Sequence, residues 1–315
     1  MRAHLLLLAV ALLWGVTFVV VKDALADITP LLFNLIRMVL AFLCMAVVYR
    51  RHFARLDRRA VWSGAAVGLF LTAGYQFQTA GLARTTPSKS AIITGLVVVL
   101  VPLLAAVPGV RPHGARAPRW NVWVAALMAF AGILLLTLPK AGSANAGSLH
   151  GVNFGDLLTL GCSIAFAFHC IALSRASERV PFEQLALLQI GFSALFMLVS
   201  TPLLEHSRIH LSTRLVIALA LTSVLGTAAA FSIQSWAQQF LPAAHTVLIL
   251  SLEPVFATLT SFLVLGERLG LRAGMGAVLV LAAIGLTELA AAPVPPTSHE
   301  GLLPRRSFPE PGAST

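Results

Sequence analysis

Residues 241–270 form an apolar stretch in which one acid is followed at once by a proline, LPAAHTVLILSLEPVFATLTSFLVLGERLG. An earlier stretch follows a similar plan at residues 85–106, TTPSKSAIITGLVVVLVPLLAA. A shift of 152 positions lays Pro102 on Pro254 and Thr94 on Thr246. The shared plan predicts that the chain is built from two related halves.

The rest of the chain extends this repeat. The same shift lays Thr17 on His169 and Arg37 on Gln189. A membrane-spanning helix needs roughly 20 mostly apolar residues, and each half contains five such stretches. They lie at residues 5–21, 30–49, 61–82, 89–108 and 121–138, and at residues 154–174, 183–203, 214–237, 243–265 and 273–292. A repeat with an odd number of spans must cross the bilayer in the opposite sense the second time. The sequence therefore predicts an all-α membrane protein with ten transmembrane helices, arranged as two inverted five-helix repeats.

The composition excludes an ordinary soluble globule. Hydrophobic residues make up 58% of the chain and charged residues 11%, and the mean hydropathy is +0.87. A soluble domain carries about 25% charged residues, so this chain has too few to cover a water-facing surface. We expect the lipid bilayer to be its main partner, and almost no residues remain for a soluble domain.

The net charge of +10 reflects topology. Arginines are concentrated in the joints that lie on the same side as the N-terminus, above all at residues 50–60, RRHFARLDRRA. Lys and Arg mark the cytoplasmic side of a membrane protein. The distribution predicts that both termini are cytoplasmic, and it argues against a nucleic-acid partner.

The predicted divisions follow from these patterns. Residues 1–138 are the first five-helix repeat and residues 154–292 are the second. Residues 139–153 are rich in Gly, Ser and Asn, which is typical of a flexible linker. Residues 293–315 are rich in Pro and Ser and are predicted to be a disordered cytoplasmic tail.

Arg37 is the clearest candidate for a site residue. It lies about two turns into the second apolar stretch, where a charge is costly unless it has a function or a partner. One interpretation is that it binds a carboxylate or phosphate of the substrate through paired hydrogen bonds. The alternative is that it holds the fold by pairing with a helix end or with backbone carbonyls.

Glu253 and His169 are candidates for proton coupling. Glu253 precedes Pro254, which can kink a helix and expose backbone groups at mid-membrane. Burial disfavours the charged form of a carboxyl group, so Glu253 could carry a proton, or it could pair with Arg37. His169 titrates near neutral pH and suits a proton relay or a substrate hydrogen bond, although it could equally be a packing residue.

Uncharged polar and aromatic residues complete the predicted binding site. Gln76, Gln78 and Gln189 could select polar groups of a substrate, or they could join helices through hydrogen bonds. Trp14 could line an amphipathic cavity, or it could anchor the chain at the membrane interface. We therefore expect a small-molecule substrate with both polar and apolar parts.

Other kinds of site find no support in the sequence. The motifs HExxH, GxSxG, Walker A and GxGxxG are all missing. Cys44, Cys162 and Cys170 have no metal-ligand spacing, and we expect neither a metal nor a cofactor. A membrane-embedded enzyme and a non-transporting scaffold stay open as alternatives, and so does a homodimer.

Several stretches resemble the EamA-type drug/metabolite transporter superfamily. They are ALLWGVTFVVVKDAL at residues 11–25, LLFNLIRMVLAFL at residues 31–43, and the two proline-containing stretches quoted above. The resemblance covers residues 5–292. It implies a ten-helix inverted-repeat carrier in a bacterial inner membrane, with a central cavity. It also implies alternating access for small metabolites, often amino acids or related compounds, and frequently export. Val101 stands where the second half has Glu253, so a site built on this motif is asymmetric.

Overall fold

The computed structural model describes residues 2–111, 119–137, 153–241 and 243–289. The predicted linker and tail fall almost wholly outside these residues. The first half contains α1 (Arg2–Ala24), α2 (Pro30–Val48), α3 (Arg58–Leu82), α4 (Pro87–Thr94), α5 (Val97–Leu104) and α6 (Trp120–Thr137). The second half contains α7 (Phe154–Ser177), α8 (Phe182–Leu204), α9 (Thr213–Ser223), α10 (Ala230–Ala237), α11 (Ala243–Leu250), α12 (Glu253–Leu265) and α13 (Leu271–Leu289).

The described residues are helical throughout, apart from loops and one isolated β-bridge between Ile28 and Ile209. Among the described residues, seven helical segments are long and apolar enough to cross a membrane, and some of them consist of two consecutive helices. They are Arg2–Ala24, Pro30–Val48, Pro87–Leu104, Phe154–Ser177, Phe182–Leu204, Thr213–Ala237 and Thr246–Leu265. These findings confirm the predicted all-helical structure and support a multi-pass membrane protein. The count of ten spans and the inverted repeat stay predictions.

Helix starts are fixed by side chains that satisfy the free amides of the first turn. Asp57 accepts a hydrogen bond from the amide of Ala60 at 2.6 Å at the start of α3. Asn153 does the same for Gly155 at 2.7 Å at the start of α7. The two caps mark where α3 and α7 begin. These two helices pack along each other.

Three of the helical segments are discontinuous. The α4–α5 segment breaks at Gly95 and Leu96, and the α11–α12 segment breaks at Ser251 and Leu252. A π-helical turn, Val224–Ala229, joins α9 to α10. The second break agrees with the kink predicted at Pro254. Pro102 instead lies inside α5, and the first half breaks earlier, at Gly95.

Gly95 lets the two broken segments approach closely. A β-carbon added to Gly95 would lie 2.8 Å from Cγ of Pro254. A larger residue at position 95 would therefore push the first break away from the ring of Pro254. The two discontinuities therefore pack against each other in the centre of the protein.

One end of the helix bundle is tied together by polar contacts. The backbone amide of Thr29 donates to the carbonyl of Arg208 at 3.0 Å. The backbone amide of His210 donates to the carbonyl of Asp27 at 2.7 Å. The Nζ of Lys22 donates to the carbonyls of Leu82 and Thr85, each at 2.8 Å, and so caps the end of α3.

Glu267, in the loop after α12, fastens the same end. Its Oε2 accepts from the hydroxyl of Ser88 at 2.8 Å and from the hydroxyl of Ser261. Burial by itself would raise the pKa of the Glu267 carboxyl. Hydrogen bonds from Ser261, Thr86 and Ser88 outweigh that effect and hold this pKa below its ordinary value. The charged form of Glu267 therefore joins α12 to the start of α4.

Candidate functional site

A cavity lies at the centre of the bundle, where the broken segments meet. Its empty space, including the part open to solvent, amounts to about 830 Å³. Its walls come from both halves of the chain. The polar residues of the lining are Thr17, Arg37, Tyr75, Gln78, Thr79, Thr94, His169, Gln234, Ser251 and Glu253, and its aromatic residues include Trp14, Phe18, Phe166 and Phe231. The mixed polar and aromatic lining suits a small amphipathic molecule.

The structure brings together five of the seven predicted site residues. Trp14, Arg37, Gln78, His169 and Glu253 all line the cavity. Gln76 and Gln189 do not line it, because each is engaged with neighbouring helices. Their predicted roles in substrate binding stay predictions.

Arg37 lies on α2 and is 3% exposed. Its Nε donates to Oγ1 of Thr227 at 2.6 Å, and its Nη2 donates to the hydroxyl of Tyr75 at 3.0 Å and to the carbonyl of Gly226 at 3.1 Å. The guanidinium also lies over the Tyr75 ring, with Cζ 4.5 Å from the ring centroid. Within the described residues no carboxylate pairs with Arg37, so its positive charge is held in place but not neutralised.

The anchor of Arg37 is the π-helical turn. In a turn of this kind the hydrogen-bond ladder shifts and frees backbone groups for other partners. Gly226 uses its carbonyl to accept from Nη2 of Arg37 and also from Nε1 of Trp14 at 2.8 Å. Thr227 accepts from Arg37 while its own hydroxyl donates to the carbonyl of Thr222 at 2.9 Å. The turn therefore orients two of the cavity residues at once.

Glu253 is the first residue of α12, directly after the break at Ser251 and Leu252. It lines the cavity, and within the described part of the chain it makes neither a hydrogen bond nor an ion pair. The pairing with Arg37 that the sequence left open is not present in this structure. The carboxyl group is thus available to a proton or to a ligand.

His169 lies on α7 within a chain of polar side chains. Its Nε2 is 2.9 Å from Oε1 of Gln189, and Nε2 of Gln189 donates to Oγ of Ser235 at 2.9 Å. With the Gln189 amide in this orientation its Oε1 can only accept, so Nε2 of His169 carries the hydrogen. Nδ1 of the neutral imidazole is then an acceptor. Gln189 fixes the tautomer of His169 from behind the cavity wall.

One face of α3 supplies much of the cavity wall. Tyr75, Gln78, Thr79 and Leu82 share that face, at the i, i+3, i+4 and i+7 spacing of a helix. Gln76 points elsewhere and accepts from Nδ2 of Asn34 at 3.2 Å. Two residues two positions apart cannot face the same way on a helix, which explains why only one of the two glutamines reaches the cavity.

Two residues of the candidate site are not among those predicted from the sequence. Thr227 carries no signal by itself, because its contact with Arg37 comes from the π-helical turn around it. Gln234 is one of several uncharged polar residues in apolar stretches, and it lines the cavity on α10. As for metals, within the described residues no group of three or more His, Cys, Asp or Glu is placed to hold one.

Several known proteins are similar to this chain over most of its length. The model of the EamA-like transporter family matches residues 1–138 and 153–289. A protein of Archaeoglobus fulgidus named "Uncharacterized transporter" is 30% identical over 91% of this chain and 86% of its own length. The "Uncharacterized transporter YvbV" of Bacillus subtilis is 27% identical over 91% of this chain and 92% of its own length.

The fold also has a solved counterpart. A crystal structure described only as that of a protein aligns with a TM-score of 0.63 over 91% of this chain and 96% of its own. The identity of 20% in that alignment means that the likeness concerns the fold alone. The family match extends over most of the chain, and the relatives are similar over nearly their full length. This multi-pass membrane protein therefore belongs to the EamA-like transporter family.

Proposed function

We propose that this protein is a secondary transporter that exports small polar or amphipathic metabolites, such as amino acids or related compounds, by alternating access. The observation that carries this proposal is Arg37, a buried cation that faces the central cavity without an acidic partner among the described residues. A charge kept at such cost inside a membrane protein is a functional site by default.

The role of Arg37 is to bind the anionic group of the substrate. Its Nε and Nη2 are committed to Thr227, Tyr75 and Gly226, whereas Nη1 makes no hydrogen bond with the described residues. The committed nitrogens hold the plane of the guanidinium, and Nη1 is left to donate to a carboxylate or phosphate oxygen. Gln78, which also lines the cavity and makes no hydrogen bond there with the described side chains, adds an uncharged polar contact.

Alternating access requires a site that both halves of the carrier share. In the proposed arrangement ten spans form two inverted repeats in a bacterial inner membrane, with both termini cytoplasmic. The discontinuities at Gly95 and at Ser251 both border the cavity, which supports this arrangement. Secondary transporters hold their substrates where broken helices meet near mid-membrane.

Coupling to protons is assigned to Glu253, with His169 as the second titratable group of the cavity. Glu253 has an unpartnered carboxyl group beside a helix break, where protonation changes the charge of the cavity by one unit. A substrate and a proton that both act on this charge are linked thermodynamically, because each alters the affinity for the other.

The test is a flux assay with purified protein in lipid vesicles loaded with mixed metabolites. Saturable release of one compound, faster with an imposed pH gradient, is the expected result. Arg37→Met should abolish the saturable component, while Arg179→Met, which makes the same charge change at an exposed joint, should leave it intact. Correctly inserted protein that releases no compound across a wide screen would contradict the proposal.

A further inference from the structure

Gln234 presents an acceptor atom that the protein does not use. The residue is 1% exposed, and it lines the central cavity from α10. Its Nε2 is directed to Sγ of Cys170 at 3.9 Å, while its buried Oε1 has no hydrogen-bond partner among the residues that the structure describes. An unpaired buried carbonyl oxygen is costly, so such an atom in a native structure calls for a ligand or a bound water.

Gln238, the residue that follows α10, contacts the same cysteine as Gln234. Gln238 donates its Nε2 to the backbone carbonyl of Cys170 at 3.3 Å. Gln234 and Gln238 thus hold α10 against the same residue of α7, one through the sulfur and the other through the backbone. Only Gln234 lines the cavity. Its amide nitrogen lies on the Cys170 side, which leaves the oxygen as the atom it can offer.

Glu253 supplies a second unused acceptor in the same cavity. Its carboxyl group has no partner among the described side chains, as noted above, and Glu253, Gln234 and Cys170 all line this cavity. Both oxygens of an ionised carboxylate accept hydrogen bonds and donate none. The cavity therefore offers a carboxylate and a carbonyl oxygen as acceptors, in addition to the positive charge and the N–H group of Arg37.

Such a pair of acceptors recognises a group that carries both N–H donors and positive charge. An alkylammonium has three donors and no acceptor. Aromatic rings complete the surroundings, since Phe166 and Phe231 also line the cavity. Rings of this kind attract cations through their faces and pack against the apolar part of a ligand.

We propose that Gln234 and Glu253 form a subsite for the protonated amine of the transported molecule, opposite in charge to the Arg37 subsite. This inference rests on the proposed function, because it assigns the substrate to compounds that carry an ammonium group as well as an anionic group. Compounds that lack the ammonium, or in which it is acylated, leave the Glu253 charge uncompensated and bind poorly.

The experiment uses Cys170 as a reporter that needs no known substrate. In the Cys44→Ala, Cys162→Ala background, Cys170 is the sole thiol of the chain, and it lines the cavity. The rates of its modification by the cationic reagent 2-aminoethyl methanethiosulfonate and by the anionic 2-sulfonatoethyl methanethiosulfonate are measured, each relative to free cysteine. The ratio of the two rates reports the charge preference of the subsite.

We expect the ratio to favour the cation and to fall about fivefold or more in Glu253→Gln, because this change removes one unit of negative charge from the cavity that Cys170 lines. Gln234→Met should lower it by a smaller factor. Glu183→Gln, the same change at the start of α8 and outside the cavity lining, is the matched control and should leave the ratio unchanged. A ratio that stays the same in Glu253→Gln, with the protein folded, would overturn the subsite.

A flux assay with phenylalanine and N-acetylphenylalanine separates this inference from the function on which it rests. Release of phenylalanine at least about tenfold faster than release of its acetylated form is expected, since an unpaired buried charge costs that much or more. Equal release of both would overturn the subsite and uphold transport. Release of neither, with the labelling preference intact, would count against the proposed transport of amino acids and uphold the cation subsite.

Discussion

Thr227 accepts a hydrogen bond from Nε of Arg37 at 2.6 Å, although the two residues are 190 positions apart in the chain. The bond links the middle of α2 to the π-helical turn of the second half. It leaves the guanidinium plane fixed before a substrate arrives. The first prediction concerns this bond.

Thr227→Val keeps the shape of the side chain and removes the acceptor for Arg37. A hydrogen bond to a charged group is worth about 1.5–3 kcal/mol, so we expect the half-saturating substrate concentration to rise about tenfold or more. Thr227→Ser keeps the hydroxyl and should stay close to the parent protein. Identical saturation curves for the Val and Ser variants would show that the bond does not position Arg37.

Arg37→Lys is expected to lose most transport activity, although it keeps the positive charge. A lysine has no Nε–H at the position that meets Thr227, and its ammonium cannot lie flat over the Tyr75 ring. Initial rates of flux should fall to within a few-fold of those of Arg37→Met. Transport by Arg37→Lys near the parent rate would indicate that only the charge matters.

Glu253→Gln should uncouple transport from protons. The amide keeps the size of the side chain but cannot bind or release a proton near neutral pH. We expect the acceleration by a pH gradient to disappear. Exchange at equal pH on both sides of the vesicle membrane should persist, but with a higher half-saturating concentration, because Glu253 also binds the amine of the substrate in the arrangement proposed above. If the variant still responds to the gradient, Glu253 is not the coupling group and His169 becomes the candidate.

Glu267 predicts a dependence of stability on pH. Its pKa is lowered in the folded protein, so its contribution is present above the pKa of the unfolded state, about 4.3 for a glutamate. That contribution is lost as the pH falls through the lower, folded pKa. The temperature of thermal unfolding in detergent should therefore decrease as the pH falls from about 4.3 through the lower pKa of the folded protein.

The matched variants make the Glu267 prediction specific. Glu267→Gln should lose on the order of 1–3 kcal/mol at neutral pH, because it removes the charge that accepts from Ser88 and Ser261. It should also flatten the acid dependence. Glu183→Gln should change neither. An unaltered acid dependence in Glu267→Gln would assign the effect to other carboxylates.

Gly15→Ala tests the close packing of α1 on α12. A β-carbon at residue 15 would lie 2.6 Å from Cβ of Phe256 and 2.9 Å from the carbonyl oxygen of Glu253. The helices must separate to admit it, which costs about 1–3 kcal/mol and displaces Glu253. We expect a lower unfolding temperature together with slower flux. Gly109→Ala, where nothing lies within 4 Å, is the control.

The predictions from sequence succeeded where periodicity and length carry the information. The bounds of α7 and α8 agree with the predicted stretches to within a few residues. The close approach of Gly95 to the ring of Pro254 was not predicted, because it joins residues more than 150 positions apart in the chain. The π-helical turn leaves no composition signal in residues 224–229 either, since its residues are ordinary helix formers with one glycine.

The sequence could predict those residues of the candidate site that are ionisable and lie in an apolar stretch. Arg37, Glu253 and His169 stood out as ionisable residues in apolar stretches, and all three line the cavity. Whether Gln76 or Gln78 faces the cavity depends on the rotation of α3 about its axis. Packing against α7 and α8 sets that rotation. The local sequence does not contain this information. It therefore could not show which uncharged polar residues line the cavity and which join helices.

The carbonyl of Gly226 accepts from both Trp14 and Arg37, and so α1, α2 and the π-helical turn converge on one oxygen atom. That atom has the geometry of a pivot. Rotation of the three elements about it changes neither bond length, whereas sliding any one of them along its axis breaks at least one bond. Rotation of α1 about this oxygen therefore leaves both of its hydrogen bonds in place, whereas rotation of α2 about it also disturbs the bonds of Arg37 to Thr227 and Tyr75.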